Sequence, residues 1–393
     1  MVLCVKIYMN MKKKILFIID SLNCGGAERS LISVLNVLPR DKYEISLWCL
    51  HREGAFLSLV PKDVKWVSPN RNSFLRSCLL KLGGLLYSLA WRVNRWRGRK
   101  IWLAEQLWKY KVRWDNIPIG DWDIVVAYQQ GIPTFIVSEK FSGCKKYAWI
   151  NADIFRGINR KKNHAFYSKM DKIVLVSDAI YHKAKEVFPD LAHKMAVVYD
   201  MLDTDEIRKL ASSESPLSKK ENELTFVTTA RLVPEKGHDI AVDTAAELKR
   251  RGLKFKWYFI GEGRMRESIE TQIKAKGVEN EVVLLGLQTN PYAYVNQADV
   301  YIQTSRFEGF GLTVKEAKLL SKFIVSTNFS AVYNQLSHEE NGLIAEMNYM
   351  SVADNICRVI FDHNLRMQIA KNLSIENKTC CLNDISKIVE VIY

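Results

Sequence analysis

The sequence predicts an α/β protein built from two doubly wound, Rossmann-like domains. Three observations carry that expectation. Short, continuously apolar runs read as parallel strands covered on both faces, apolar-periodic helices alternate with them, and the alternation resumes beyond one polar, aperiodic stretch near mid-chain. A chain of 393 residues is too long for one ordinary domain and comfortable as two. With 48% hydrophobic and 25% charged residues it forms a core, which excludes disordered, collagen-like and low-complexity classes.

The first strand is Ile15–Ile19. The lysines ahead of it resemble the basic start of a signal peptide, but Asp20 ends the apolar run too early, so no export is expected; Met1 to Asn10 reads as a start-site extension. A glycine loop, Gly25-Gly26-Ala27-Glu28, precedes a helix marked by Leu31, Val34, Leu35 and Leu38 and closed by Pro39. Tyr43–Leu50 is the second strand, and Asp123–Tyr128, Lys146–Ile150, Ile173–Ser177 and Met195–Tyr199 follow with helices between them. Ser212–Asn222 (SSESPLSKKEN) is polar, contains Pro216 and has no periodicity, as a linker does. Past it come strand Leu224–Ala230, helix Asp239–Arg250, strand Phe255–Ile260, helix Arg264–Lys276, strand Val282–Leu285 and strand Val300–Gln303. Helix Leu312–Leu320, strand Phe323–Thr327 and a long helix from about Ser351 complete the series. The expected domains are therefore residues 1–211, a linker over 212–222, a second domain over 223–375 and a C-terminal helix over 376–393. Ile385, Ile388, Val389 and Ile392 give that tail one apolar face, suited to pack on either domain.

Charge is unevenly placed. The formal net charge is +14, and the stretch Arg71 to Trp114 holds eleven basic residues against one acid, Glu105, and so carries +10 of it. Five of the ten tryptophans lie there as well. Leu75, Leu79, Leu82, Leu86, Leu89, Val93 and Trp96 recur on one helical face, and Gly98 separates them from a second amphipathic segment. An apolar stripe edged by Trp and Arg suits the headgroup plane of an anionic bilayer, and it is too short and too charged to span one; the other reading is an ordinary amphipathic insert whose leucines face the protein core and whose arginines are solvated. No nucleic-acid-binding motif accompanies the charge. The eight cysteines form no C-x-x-C pair, which offers neither a zinc cage nor a disulfide framework and suits a reducing cytosol.

Three clusters fall at carboxyl ends of strands in the second half, where ligands of such sheets bind. Arg231 and Lys236 sit in a loop before a helix, placed to meet a diphosphate. Gly261-Glu262-Gly263 lets the backbone approach a ligand closely. In the third cluster Gly309 and Gly311 make a tight turn, and the free amides of Gly311, Leu312 and Thr313 open a helix that can take a phosphate. Glu316, one turn on, can accept both hydroxyls of a ribose, and Glu308 precedes the turn on the same side.

These residues together resemble glycosyltransferase family 4, the retaining enzymes of the GT-B fold. Arg231 with Lys236, Gly261-Glu262-Gly263 and the spacing of Glu308 to Glu316 carry the likeness; Gly25-Gly26-Ala27-Glu28, Val176-Ser177 and Asn341-Gly342-Leu343-Ile344 extend it over nearly the whole chain. The resemblance implies two domains facing across a cleft. It assigns Glu308 to the donor sugar, Arg231 and Lys236 to the donor diphosphate, Glu316 to its ribose, and the amides of Gly311 to Thr313 to the leaving phosphate. Gly261 and Gly263 would join the donor site, and Gly25, Gly26 and Asn151 would approach the sugar from the opposite side. It also implies a nucleotide-sugar co-substrate (a UDP-sugar), no further cofactor and no metal. The likeness is greatest to bacterial enzymes that build capsule, exopolysaccharide or lipopolysaccharide, so the implied partners are a lipid-linked saccharide acceptor and an anionic membrane surface, not nucleic acid. The implied location is the cytoplasm, against the inner face of the plasma membrane.

Asn151 departs from the family, which often has His after Trp-Ile; Asn hydrogen-bonds but cannot titrate. The family's Gly-x-Pro is Ser321-Lys322-Phe323 here. Asp121 and Asp123, and Asp203 and Asp205, mimic a metal-holding Asp-x-Asp, yet two carboxylates alone make a poor cage. His238 either touches the donor or is merely solvated, and Glu28 either orients an acceptor hydroxyl or favours its helix N-terminus. Two other functions stay open. One is a sugar-nucleotide epimerase of the same fold, converting donor without an acceptor; the other is a non-catalytic membrane-associated partner, to which Asn151 points.

Overall fold

The computed structural model describes residues 12–23, 25–69, 88, 92, 108, 117–118, 120–152, 160–213, 217, 221–379 and 382–392. They divide into two compact units, Met1–Tyr199 with Ile388–Tyr393, and Asp200–Lys387.

The first unit is a sheet of seven parallel strands: β1 (Lys13–Ile19), β2 (Tyr43–Cys49), β3 (Lys65–Trp66), β4 (Ile124–Ala127), β5 (Lys145–Ile150), β6 (Lys172–Leu175) and β7 (Met195–Val197). Their spatial order is β3-β2-β1-β4-β5-β6-β7, so the order reverses between β1 and β4. Ile15 to Ile19 are fully buried because helices cover both faces, which is why the strand is a continuous apolar run rather than an alternating one. Tyr128 stacks on Trp149 at 4.9 Å between ring centroids, and its hydroxyl meets Ser30 Oγ at 2.9 Å, joining the ends of β4 and β5 to helix Gly26–Val37. The C-terminal residues also belong here. Ile388 and Ile392 are buried, and Lys172 Nζ donates to the Val391 carbonyl at 2.7 Å.

The second unit repeats the plan with β8 (Leu224–Thr229), β9 (Phe255–Ile260), β10 (Val282–Gly286), β11 (Val300–Gln303), β12 (Phe323–Thr327) and β13 (Leu343–Ala345), ordered β10-β9-β8-β11-β12-β13 and all parallel. Phe226, Trp257 and Phe259 make edge-to-face contacts at 5.5 to 6.0 Å, and helices His238–Arg250 and Tyr349–Phe361 close over them with Ala241, Ala245, Ile356 and Val359.

The observed division differs from the expected one at its boundary. Helix Thr204–Ala211 was expected in the first domain, but the Asn290 and Asn296 amides cap its carbonyls at Leu210 and Ala211, at 2.8 and 3.0 Å, so it groups with the second unit. The expected linker, residues 212–222, accordingly lies within the second unit, whose boundary is at Asp200.

Candidate active site

In the second unit the strand order reverses between β8 and β11, the place where doubly wound sheets open a crevice for ligands. The loops leaving those two strands carry the predicted cations and glutamates. Pro234–Lys236 is one 3-10 turn, and Gly237, at φ +64°, starts helix His238–Arg250. A Cβ on Gly237 would stand 2.0 Å from the Thr304 carbonyl oxygen, so only glycine lets the two loops touch there. Side chains then clasp them. Arg306 pairs bidentately with Asp239 at 2.7 and 2.5 Å and donates to the Pro234 carbonyl at 3.1 Å, and Thr304 Oγ1 donates to the Lys236 carbonyl at 3.3 Å. The clasp brings Lys236 Nζ within 2.5 Å of Glu308 Oε2, the two side chains being only 18% and 10% exposed. Glu308 Oε1 accepts from Gln303 Nε2 at 2.9 Å and Ser305 Oγ at 2.7 Å. Arg231 is exposed, and its side chain makes no hydrogen bond or ion pair among the described residues.

Beyond Glu308 the chain turns through Gly311, at φ +90° and ψ +52°, into helix Leu312–Leu319. Gln335 Nε2 donates to the carbonyl oxygens of Phe310 and Gly311, holding the turn. The helix places Glu316 one turn in, 7% exposed, where it accepts from Tyr292 Oη at 2.9 Å. Lys236, Glu308 and Thr313 are thus joined in one cluster through Gln303, while Gly261 and Gly263 lie in the neighbouring loop after β9. The close approach that requires those two glycines is to protein: added Cβ atoms would stand 2.2 Å from the Ala230 carbonyl oxygen and 2.3 Å from that of Leu232.

In the first unit Gly25 and Gly26 lie at the start of the helix after β1, and Asn151 at the end of β5. Gly25 is extended at φ −159°, a conformation open to any residue. Asn151 donates its backbone N–H to Gln130 Oε1 at 3.1 Å and Nδ2 to the Tyr128 carbonyl at 2.7 Å, which leaves its buried Oδ1 without a partner among the described residues. The side chain therefore offers a ligand an acceptor at Oδ1, beside the second N–H of Nδ2. Gln129 and Gln130 escaped sequence reasoning; their position directly after the β4 run was the available signal.

His238 is not solvated. It is 2% exposed, its ring lies 5.2 Å from that of Phe259, and neither ring nitrogen has a hydrogen-bond partner among the described residues. Burial first, and the Lys236 charge second, push its pKa down to about 4. The Asp-x-Asp look-alikes have structural duties: Asp123 Oδ2 accepts from Lys14 N at 2.7 Å, and Asp203 caps helix Thr204–Ala211 through Glu206 N at 3.0 Å. Among the described residues no group of three or more His, Cys, Asp or Glu is placed to hold a metal.

The basic, Trp-rich insert at residues 71–114 lies outside the described residues except for Ser88, Arg92 and Trp108. Trp108 is 5% exposed and packs against Phe135 at 6.1 Å between centroids. Among the described residues no helix is long and apolar enough to cross a membrane.

Residues 212–374 match the family described as glycosyl transferases group 1. Over 375 residues, 90% of this chain and 92% of the relative, the sequence is 25% identical to the N-acetylgalactosamine-N,N'-diacetylbacillosaminyl-diphospho-undecaprenol 4-alpha-N-acetylgalactosaminyltransferase of Campylobacter jejuni. It is 24% identical over 168 residues to an uncharacterized glycosyltransferase of Methanocaldococcus jannaschii, where it spans 42% of this chain and only 41% of the relative. The fold matches that of Anabaena Alr3699/HepE in complex with UDP-glucose, with TM-score 0.70, 19% identity, and 96% of this chain and 99% of the other covered. A glycosyltransferase from Rickettsia africae is similar at TM-score 0.69 and 18% identity, with 97% of each chain covered. With two parallel, doubly wound sheets the chain has the GT-B fold, and the match of its second unit to the group 1 glycosyl transferases, with glycosyltransferase relatives along nearly its whole length, supports a glycosyltransferase of the family 4 type.

Proposed function

We propose that this enzyme moves a sugar, with retention, from a UDP-sugar to a lipid-linked saccharide in cell-surface polysaccharide synthesis, working against the inner face of the plasma membrane without a metal. The observation that carries the reading is the cluster at the β8–β11 reversal. There a fixed lysine, a buried glutamate and the first turn of helix Leu312–Leu319 are joined through Gln303, with the exposed cation of Arg231 in the same loop. Arg231 and Lys236 neutralise the diphosphate, Glu316 accepts the ribose hydroxyls, and the amides of Gly311 to Thr313 face the leaving phosphate. Charge developing on that phosphate meets cations and dipoles already in place, which is the largest kind of electrostatic help a site can give. The acceptor oxygen bonds to the anomeric carbon as the carbon–phosphate oxygen bond breaks on the same face, and the departing phosphate oxygen takes the acceptor's proton. The lipid-linked acceptor is supported by the Campylobacter relative, named for a diphospho-undecaprenol substrate, and the uridine donor by the UDP-glucose held in the Anabaena protein.

Thermal stabilisation by a panel of UDP-, GDP- and ADP-sugars identifies the donor, since a ligand that binds only the native state raises its stability. Transfer with that donor is then measured in Lys236→Ala and Glu316→Ala; survival of transfer in both refutes the site. Deleting residues 72–113 should reduce co-sedimentation with anionic liposomes at low salt, and unchanged binding would reject the insert as the anchor.

A further inference from the structure

Gln303, the last residue of β11, is 1% exposed and bears none of the charge or glycine that marks the loops around it. Its amide uses every hydrogen-bonding position it has. Nε2 donates to Glu308 Oε1 at 2.9 Å and to Ser305 Oγ at 2.7 Å, while Oε1 accepts from Tyr301 Oη at 2.8 Å and Thr313 Oγ1 at 3.3 Å. The orientation is forced. A carboxylate only accepts, so Nε2 must face Glu308, and Oε1 must then face two hydroxyls that donate to it. Ser305 Oγ accepts from Gln303 and gives its own proton to Glu308 Oε1 at 2.7 Å. Glu308 Oε1 is thereby held from two sides, and Oε2 is turned to Lys236.

We infer that Gln303 is the positioning residue of the donor site: it sets the Glu308 carboxylate against Lys236 and ties both to Thr313 at the start of the phosphate-facing helix. The inference rests on the reading of Lys236, Glu308 and Thr313 as donor contacts. Its consequence is a division of labour among hydrogen-bonding groups. Glu308 Oε1 is committed to protein, so a donor sugar meets Oε2, and Lys236 keeps two of its three ammonium N–H groups for the ligand. A buried apolar residue at 303 would leave Glu308 held by Ser305 and Lys236 alone and would remove the Gln303 acceptor from Thr313 Oγ1, loosening the cluster while the strand still packs.

The test is Gln303→Met, which keeps the side-chain length and removes all four hydrogen bonds. Acceptor-independent release of UDP is followed from UDP-glucose, UDP-N-acetylglucosamine and UDP-galactose. Turnover should fall by about 30-fold or more with KM changed less than about threefold, the signature of a contact that matters most in the transition state. In a Glu308→Gln background the same change should cost less than about threefold, because a residue acting through Glu308 has little left to act on. Native turnover in Gln303→Met, or an equal loss in both backgrounds, overturns the inference. A crystal structure of Gln303→Met gives an answer independent of donor: Glu308 should leave Lys236, and an intact contact overturns the inference. Should that variant fail to fold, Ser305→Ala removes the other donor to Glu308 Oε1 and enters the same cycle. Lys236→Ala and Glu316→Ala run alongside. Turnover that survives those two sinks the donor-site reading itself, whereas turnover lost in them and kept in Gln303→Met sinks only the role given to Gln303.

Discussion

Lys236→Met keeps the aliphatic stem and deletes the ammonium that faces Glu308. Both side chains are largely buried, 18% and 10% exposed, and 2.5 Å apart, so the change strands a carboxylate away from water. Breaking a buried pair from one side costs about 3–5 kcal/mol. Glu308 keeps the donors Gln303 and Ser305, and the lysine is partly open to solvent, which places the expected loss below that range, at about 2–3 kcal/mol. For a unit of this size that is a fall in Tm of about 4–12 °C. Adding Glu308→Gln should recover most of the loss, because a neutral amide no longer carries a buried charge, yet it should restore no activity. Scanning fluorimetry with and without UDP reads both consequences. A double variant no more stable than Lys236→Met would refute the buried-pair account. Full stabilisation of Lys236→Met by UDP would refute the lysine as a diphosphate contact.

Other outcomes follow from the same geometry. Gly311→Ala forces a side chain into φ +90° with Cβ 3.1 Å from Phe329 and 3.2 Å from Gln335, and should cost at least the ~1–2 kcal/mol of the left-handed region, with weaker UDP binding by calorimetry. Tyr292→Phe removes a hydrogen bond to buried Glu316, where bonds to charged groups are worth about 1.5–3 kcal/mol; the Kd for UDP should rise about tenfold or more, and an unchanged Kd would separate Tyr292 from the site. His238 makes stability depend on acid. Its folded pKa lies near 4, below its unfolded value, so the unfolded chain gains the proton first as pH drops. Stability is complete above about pH 6.5 and is lost as pH falls toward 4, by at most about 3 kcal/mol. Tm measured from pH 7 to 4 should therefore drop more in the native protein than in His238→Phe.

The strands were legible because a parallel sheet covered on both faces demands unbroken apolar runs; Phe255–Ile260, Val300–Gln303 and Phe323–Thr327 stand where the sequence places them, and most others shift by a residue or two. Elements too short to show a period were not legible: Lys65–Trp66, Leu343–Ala345 and helix Pro291–Gln297. Losing that last helix hid Tyr292 and with it the hydrogen bond to Glu316. Charged and glycine-rich parts of the site declare themselves by residue type. Gln303, Gln130 and Gln335 do not, since an uncharged amide gains its role only from partners that the fold brings to it, such as the Glu308 carboxylate or the Gly311 carbonyl.

The glycines of the site show why such partners can be held so firmly. Gly263 lies against Leu232, Gly261 against Ala230 and Gly237 against Thr304, each at a distance that a Cβ would abolish. The loops after β9, β8 and β11 are therefore interlocked backbone to backbone before any side chain is considered. Arg231 and Lys236 ride on the middle loop, so main-chain contact sets where their side chains start; the Lys236 ammonium is held further by Glu308, while the Arg231 side chain is exposed. A site that lowers a barrier by electrostatics gains most when its charges need not move during the reaction. Under the proposed function, the +10 of the insert and the two cations of this loop are different uses of basic residues: many charges suited to a broad anionic surface, and two carried on an interlocked loop toward one diphosphate.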